Sequence, residues 1–339
     1  MDFTHCTVDI SREYGGSDRK WGILINYEPY MIKLSDNIPN DKRNELNSSY
    51  SNSAVSEHIC CKIIKSMGIS VQETILGSYT KLSSKGVERT YPAVACKNFV
   101  PEGYSLISFK AVENTVLDAK PAKIPKLSDV YYTLQRDNMF FSKNFGMDVA
   151  IPSFWDTFIV DSLLANFDRH ANNWSYLVNP STRDVKTAPI YDCGSCLYPQ
   201  INDDGIAKII NDPQKIAERI DVFPTAALLD DHGKKINYKE YINSLENTDC
   251  TEALKRVYPK IDLDKIYQII DTVNISNLRK QFYKTMITAR YEKILVPAYK
   301  RTQYICKESF RQSLVDALQS MNHTPGHDNL TVDNDLSER

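Results

Sequence analysis

Three oxygen-bearing side chains recur within a short span: Asp168, Asn173 and Asp192. Asp168 opens the run Asp168-Arg169-His170-Ala171-Asn172-Asn173, and Asp192 stands in Asp192-Cys193-Gly194, 24 residues further on. Carboxylate and amide oxygens suit a hard cation such as Mg²⁺, which takes few protein ligands and completes its shell with water and phosphate. Phosphoryl transfer uses such a cation, and the protein's work there is positioning and charge neutralisation. The reaction also needs a cation on the α/β-phosphates, a carboxylate to hold that cation, and a carboxylate to take the proton of the attacking hydroxyl. Lys33, ending an apolar strand, meets the first need, and Glu57, near the first turn of a helix, meets the second. Asp168 is the candidate base, and Asn173 and Asp192 are the candidate metal ligands. Gly15 and Gly16, in a polar loop ahead of Lys33, permit backbone conformations that point N–H groups at an anion.

These groups need elements to carry them. Short strands are expected at 7–10, 21–25 and 30–34, with a turn at Asn26–Pro29. Residues 36–53 read as a polar loop, whose hydroxyls at 47–53 offer a region for self-phosphorylation. Val55, Ile59, Ile63 and Met67 recur at helical spacing, so a helix is expected over 54–67, capped by Asn52 or Ser53 and ended by Gly68. Two further strands are expected at 71–76 and 91–96, joined by a turn over 81–87. From about 104 the pattern reads as helical, with helices at 127–134, 154–166, 206–220, 250–257, 262–272, 275–297 and 303–321. The helix opened by Pro152 and Ser153 carries a wide apolar face and delivers Asp168. A strand at 174–178, a turn at Asn179–Thr182 and a second strand at 188–191 then deliver Asp192.

The expected fold class is α+β in two lobes. Residues 1–100 form a small antiparallel β lobe with one helix, residues 101–321 a larger, mainly helical lobe, and residues 322–339 a disordered tail. With 42% hydrophobic and 25% charged residues, the 339-residue chain has the composition of a folded globular protein. A net charge of −2 gives no field for drawing in nucleic acid, and no direct nucleic-acid binding is expected. No apolar run is long enough to span a bilayer, and the N-terminus lacks the basic and apolar regions of a signal peptide. The expectation is a cytoplasmic protein, with translocation by a leaderless route as the alternative. The eight cysteines are scattered and read as buried reduced thiols. Cys193-x-x-Cys196 alone suggests a redox pair or half a zinc site, but it overlaps the Asp192-x-Gly194 turn.

The runs Asn166-Phe-Asp168-Arg169-His170-Ala-Asn-Asn173-Trp174 and Pro189-Ile-Tyr-Asp192-Cys-Gly-Ser-Cys196-Leu-Tyr-Pro199, with Lys33 and Glu57 upstream, resemble the HipA-like kinases over roughly residues 5–300. The likeness is to the short, cell-translocating members of that protein-kinase-like family. It implies ATP- and Mg²⁺-dependent phosphorylation of protein Ser/Thr, with autophosphorylation. It also implies that Lys97, Asn98 and Phe99 present hinge backbone to adenine, and that Ser17 is the nearest match to the family's phosphate-loop serine. The extra N-terminal subdomain of the toxin members is not expected, since about 14 residues precede Gly15. Two other readings fit the same loop types: a phosphoinositide-type lipid kinase, and a kinase-fold binding module without catalysis.

Overall fold

The structure is a computed structural model that describes residues 1–11, 20–35, 52–82, 86–117 and 124–321. The loop with Gly15, Gly16 and Ser17, most of the 36–53 loop and the 322–339 tail lie outside the described residues. The chain forms two compact units, Met1–Tyr299 and Lys300–Arg339.

The N-terminal part of the first unit is a five-stranded antiparallel sheet. Its strands are β1 (Thr7–Asp9), β2 (Lys20–Ile25), β3 (Glu28–Leu34), β4 (Thr74–Leu82) and β5 (Glu88–Lys97), in the order β1-β2-β3-β5-β4. Asn26 and Tyr27 both have positive φ, 51° and 66°, which gives the two-residue hairpin turn that matches strand twist. The turn is therefore tighter than the expected Asn26–Pro29, and β3 starts at Glu28. β4 and β5 are longer than the expected strands and pair along their whole length, from Thr74↔Cys96 to Leu82↔Glu88.

The alternation of β3 decides what faces the cleft. Tyr30 and Ile32 point into a small core with Phe3, Ile23, Ile25, Ala93 and Ala95. Met31 and Lys33, one residue out of phase, point to the other face. There Met31 packs on Ala54, Val94 and Cys96. Ala54 belongs to α1 (Ser53–Ser66), the one helix of this part. Neither Asn52 nor Ser53 caps α1 with a side-chain bond; the hydroxyl of Ser35 accepts from the Ala54 N–H at 3.2 Å instead. Gly68, at φ +68°, turns the chain away after the helix, as expected. α1 sinks Ile59, Cys60, Ile63 and Ile64 into a large second core that includes Trp155, Ile159, Phe282 and Tyr283.

Two small sheets interrupt the expected helical pattern after residue 104, and the strand expected at 174–178 is a member of one of them. β6 (Ser105–Ser108), β7 (Ser175–Val178) and β8 (Val185–Thr187) form one, and β9 (Thr225–Leu229) and β10 (Lys235–Asn237) the other. These strands are short, and β6 pairs across the long interval from Ser105 to Val178, so local periodicity marks only β7. α2 (Phe109–Val116) follows β6, and α3 (Leu127–Leu134) sits where expected. A helical turn at Lys143–Phe145 and a π-type turn at Gly146–Ala150 lead into α4 (Ile151–Leu164), which starts before Pro152. The close approach of Gly146 to the Leu134 carbonyl leaves no room for a side chain.

The expected 206–220 helix is two, α5 (Asp203–Ile210) and α6 (Pro213–Asp221), broken by Asp212-Pro213. Then come α7 (Tyr238–Ser244), α8 (Thr248–Val257), α9 (Leu263–Thr272) and α10 (Asn277–Arg290). A π-type turn at Tyr291–Leu295 joins α10 to α11 (Val296–Met321), so the expected break before 303 is absent. The second unit, as far as it is described, is the part of α11 beyond Tyr299. Among the described residues no helix is long and apolar enough to cross a membrane.

Candidate active site

α4 ends at Ala165, which takes the left-handed conformation at φ 56°. That turn, unusual for a residue with a Cβ, throws the following loop out of the core. Asn166 anchors the loop at both ends of its amide. Its Nδ2 donates to Asp161 Oδ1 at 2.8 Å, and its Oδ1 accepts from the Asp168 N–H at 3.0 Å. Tyr238 also donates to the Asn166 carbonyl at 2.9 Å. Asp168 is thereby placed at the loop's crest with its side chain 50% exposed, 4.0 Å from His170 Nε2. Asn173 closes the loop, donating from Nδ2 to the Asp168 carbonyl at 2.9 Å. This bond spends the amide nitrogen and leaves the amide oxygen for a cation.

Beneath the loop, Arg169 does the bracing. Its guanidinium forks onto Asp161 at 2.9 and 3.2 Å, donates to the Asn173 carbonyl at 2.9 Å, and reaches the Tyr191 carbonyl. One side chain thus ties α4, the 166–174 loop and the segment leading to Asp192 together. Burial works against its charge, but Asp161 outweighs that and holds the guanidinium protonated. Asp161 had no role in the sequence reading, and the fork gives it one as the anchor of Arg169.

Residues 188–191, expected as a strand, are extended but form only an isolated bridge, Ile190 with Val71. Tyr191 is pinned by Ser175 at 2.5 Å and donates to the Asn172 carbonyl at 2.8 Å. Asp192 then adopts φ 58°, a left-handed conformation that Asp tolerates better than most residues. Lys33 Nζ lies 3.0 Å from Asp192 Oδ1 and 3.0 Å from Glu57 Oε2. Glu57 Oε1 accepts from the Cys193 N–H at 3.0 Å. The next residue must be small, because a Cβ on Gly194 would stand 3.2 Å from Glu57 Oε2.

The ionic state of this cluster follows from its geometry. The Lys33 ammonium holds the Asp192 carboxyl far below the usual carboxylate range. Burial opposes the charge on Lys33, but Asp192 and Glu57 outweigh it and keep the amine protonated. Burial pushes Glu57 upward, with Lys33 pulling the other way. A protonated lysine between two carboxylates is ready to move one of its hydrogen bonds to an incoming anion.

Lys33, Glu57, Asp168, Asn173 and Asp192 all line one cleft of about 800 Å³. Asn98 and Phe99 line its other end, and Phe99 packs on Tyr191 with ring centres 5.6 Å apart. Lys97 departs from expectation. Its N–H donates to the Glu73 carbonyl at 2.8 Å, its carbonyl accepts from Gln72 at 3.0 Å, and its ammonium pairs with Glu28 at 2.7 Å. Both backbone groups of Lys97 already have partners within the protein, and Lys97 does not line the cleft. Lys20, which the sequence reading passed over, does line the cleft. It sits opposite Lys33 in the β2–β3 ladder, and its charge also favours ionised Asp192. Its position two strands' length from Lys33, just past the glycine loop, was the available signal.

Among the described residues no three His, Cys, Asp or Glu side chains converge on a point that could hold a metal. Asn173 and Asp192 fit a cation that takes two protein oxygens and fills its shell from water and phosphate, as Mg²⁺ does.

Residues 13–261 match the HipA-like C-terminal domain. The chain is 38% identical over 304 residues to the serine/threonine-protein kinase CtkA of Helicobacter pylori strain J99, covering 89% of this chain and 88% of that protein. The crystal structure of a Helicobacter pylori proinflammatory kinase, CtkA, matches with a TM-score of 0.79 at 36% identity, over 90% of this chain and 99% of that one. A chain from the Shewanella oneidensis MR-1 toxin–antitoxin complex of HipA, HipB and operator DNA gives a TM-score of 0.49 at 12% identity, over 86% of this chain and 67% of that one.

Proposed function

The chain belongs to the HipA-like family, and from that membership we propose that this protein serine/threonine kinase transfers the γ-phosphoryl group of Mg-ATP to a hydroxyl presented at Asp168. The observation that carries the reading is the convergence of Lys33, Glu57, Asp168, Asn173 and Asp192, from four separate segments, on one cleft. The volume of that cleft, about 800 Å³, falls in the range of small-molecule sites.

The sheet with α1 serves as the nucleotide-binding lobe, and the helical body as the protein-substrate lobe. Adenine sits against the 98–100 segment, with Asn98 and Phe99 at its edge. Lys33 lets go of Asp192 and grips the α/β-phosphates while Glu57 keeps its ammonium in place. Lys20 adds a second positive charge beside the phosphates. Asn173 and Asp192 would hold Mg²⁺, which would supply neutralisation of the phosphate charge. Asp168 stands at the open side of the cleft, where its half-exposed carboxylate orients the acceptor hydroxyl and takes its proton. An accessible acceptor on the protein itself meets the same chemistry, so autophosphorylation accompanies the activity.

The test is direct. With Mg²⁺ and γ-labelled ATP, the purified protein labels itself and an added protein acceptor on Ser or Thr, and chelation of the metal stops both. Absence of any labelling, together with absence of a nucleotide-dependent thermal shift, overturns the reading. Labelling of phosphoinositide vesicles but of no protein moves it to a lipid kinase. Within the same assay, Lys20→Ala raises the KM for ATP more than it lowers kcat.

A further inference from the structure

Phe167 precedes Asp168 on the same loop but does not line the cleft. Its ring packs on that of Phe223, with centres 5.7 Å apart and planes tilted by 36°. Phe223 is 45% exposed, and Val222, next to it in the chain, is 65% exposed. Phe167 is itself only partly buried. Single exposed apolar side chains are ordinary on a protein surface. Here three gather in one place, beside the residue assigned to the acceptor hydroxyl.

The patch is held in place from behind. The N–H groups of Val222 and Phe223 both donate to the Glu218 carbonyl, at 2.9 and 3.1 Å, and so close the end of α6. Asn237 Nδ2 donates to the Asp221 carbonyl at 2.7 Å, and the Lys239 ammonium pairs with the Asp221 carboxylate at 2.5 Å. Between them in the chain, Tyr238 donates to the Asn166 carbonyl at 2.9 Å. Residues 237–239 therefore fasten both the residue before Phe167 and the residue before Val222. The two rings keep a fixed spacing, yet Phe223 stays half in water. Folding gains from burying an aromatic ring, so fold stability alone gives no reason to hold one exposed at this place.

We propose that Phe167, Val222 and Phe223 form a seat for one apolar side chain of the acceptor polypeptide, Leu or Phe in kind, within three residues of the phosphorylated Ser or Thr. The inference deepens the reading of Asp168 as the group that receives the acceptor hydroxyl, and it rests on that reading. The occupant follows from continuity with that point. A polypeptide whose hydroxyl reaches Asp168 brings its neighbouring residues to the rim of the same loop. The Cα atoms of Phe167 and Asp168 are about 3.8 Å apart, as in any trans peptide. The Phe223 ring lies 5.7 Å beyond that of Phe167. An extended chain advances about 3.3 Å per residue, so the seat meets a side chain about one to three residues from the hydroxyl. The charge next to Val222, on Asp221, is matched by Lys239, so the seat selects by apolar burial rather than by ion pairing. It sorts acceptors and takes no part in the chemical step.

The test uses the full chain, Mg²⁺, γ-labelled ATP and synthetic peptides with one central Ser. In each peptide a single position within three residues of the Ser, on either side, is set to Leu, Phe, Ala, Asp or Lys. At one position Leu or Phe is expected to exceed Ala, Asp and Lys by about tenfold in kcat/KM, mostly through KM. Phe223→Ala and Val222→Asp each bring that preference close to unity, while the KM for ATP and the rate on the Ala peptide hold. Phe223→Leu keeps the preference. Val222 is mostly exposed, so Val222→Asp decides the case if Phe223→Ala does not fold. A preference that survives Val222→Asp, labelled peptides with no apolar preference at any position, or self-labelling with no peptide labelled overturns the proposal. So does a Val222→Asp protein that differs from wild type only in oligomeric state by light scattering, the mark of a face between copies of this chain. Absence of all labelling, together with absence of a Mg-ATP thermal shift, overturns the kinase reading instead, and the seat falls with it.

Discussion

Lys33 and Glu57 touch at 3.0 Å, yet they are carried by different cores. Lys33 rides on a sheet whose inner face is filled by seven buried residues, among them Phe3, Ile23 and Ile32. Glu57 rides on α1, whose Ile59, Ile63 and Ile64 are part of the large core shared with α4 and α10. The loops of Asp168 and Asp192 are fastened to that same large core through Asp161 and Arg169. Every acid of the site therefore belongs to one body, and the lysine comes to it from another. The acids are placed by the large core, while the cation's position depends on a smaller one.

The predictions that follow test this division, beginning with the largest effect. Asp168→Asn removes a group that sits on the large body, on a different loop from Asp192. Turnover should fall roughly 10²- to 10⁴-fold, while the Mg-ATP thermal shift is retained. An equal loss of nucleotide binding would mean that Asp168 belongs to the binding cluster and that the division is drawn in the wrong place.

Lys33→Met leaves two carboxylates facing each other with no cation between them. A loss of about 3–5 kcal/mol in unfolding free energy is expected by denaturant titration, together with loss of activity. Adding Glu57→Gln should recover much of the stability and none of the activity. If stability stays low in the double variant, the cluster is not held by the balance of charge described above.

Ile32→Ala opens a cavity in the small core alone, at a cost of about 2–5 kcal/mol. Hydrogen exchange should then quicken across β1–β5 and stay slow in α1 and α4. Faster exchange in α1 as well would merge the two cores into one cooperative unit.

The smallest effect concerns the tie between the bodies. His58 of α1 bonds Thr74 of β4 at 3.0 Å, and burial lowers its pKa to about 4. The unfolded chain takes up this proton at ordinary histidine pH, and the folded chain does not. Stability from this group is therefore full above about pH 6.5 and is lost as pH falls toward about 4, by on the order of 1–2 kcal/mol for a half-buried ring. His58→Gln should flatten that window in thermal unfolding followed against pH; an unchanged slope would assign the pH dependence elsewhere.

Much of this could be read from residue order. Val55, Ile59 and Ile63 marked α1, and the apolar run at 30–34 marked β3, while its two faces were told apart only by the structure. The pairing of Lys33 with Glu57 was expected and is present. The hinge was legible only in part. Asn98 and Phe99 reach the cleft, but the backbone of Lys97 is consumed by Glu73 and Gln72, partners that no local pattern announces. β7 was read from its apolar run, whereas β6, β8, β9 and β10 went unseen, since strands of three to five residues owe their existence to neighbours.

The sequence by itself determined the chemical inventory and its order: a lysine on a strand, a glutamate on a helix, an Asp–Asn loop and an Asp-x-Gly turn. Residue type and periodicity are local properties and survive without a fold. Only the tertiary structure decided that Asp161 and Arg169 brace both loops, that Lys20 joins the cleft, and that the acids share one core. Each of these depends on which surfaces bury against one another. Burial is settled by the packing of the whole chain, where a one-residue change in register turns a side chain from cleft to core.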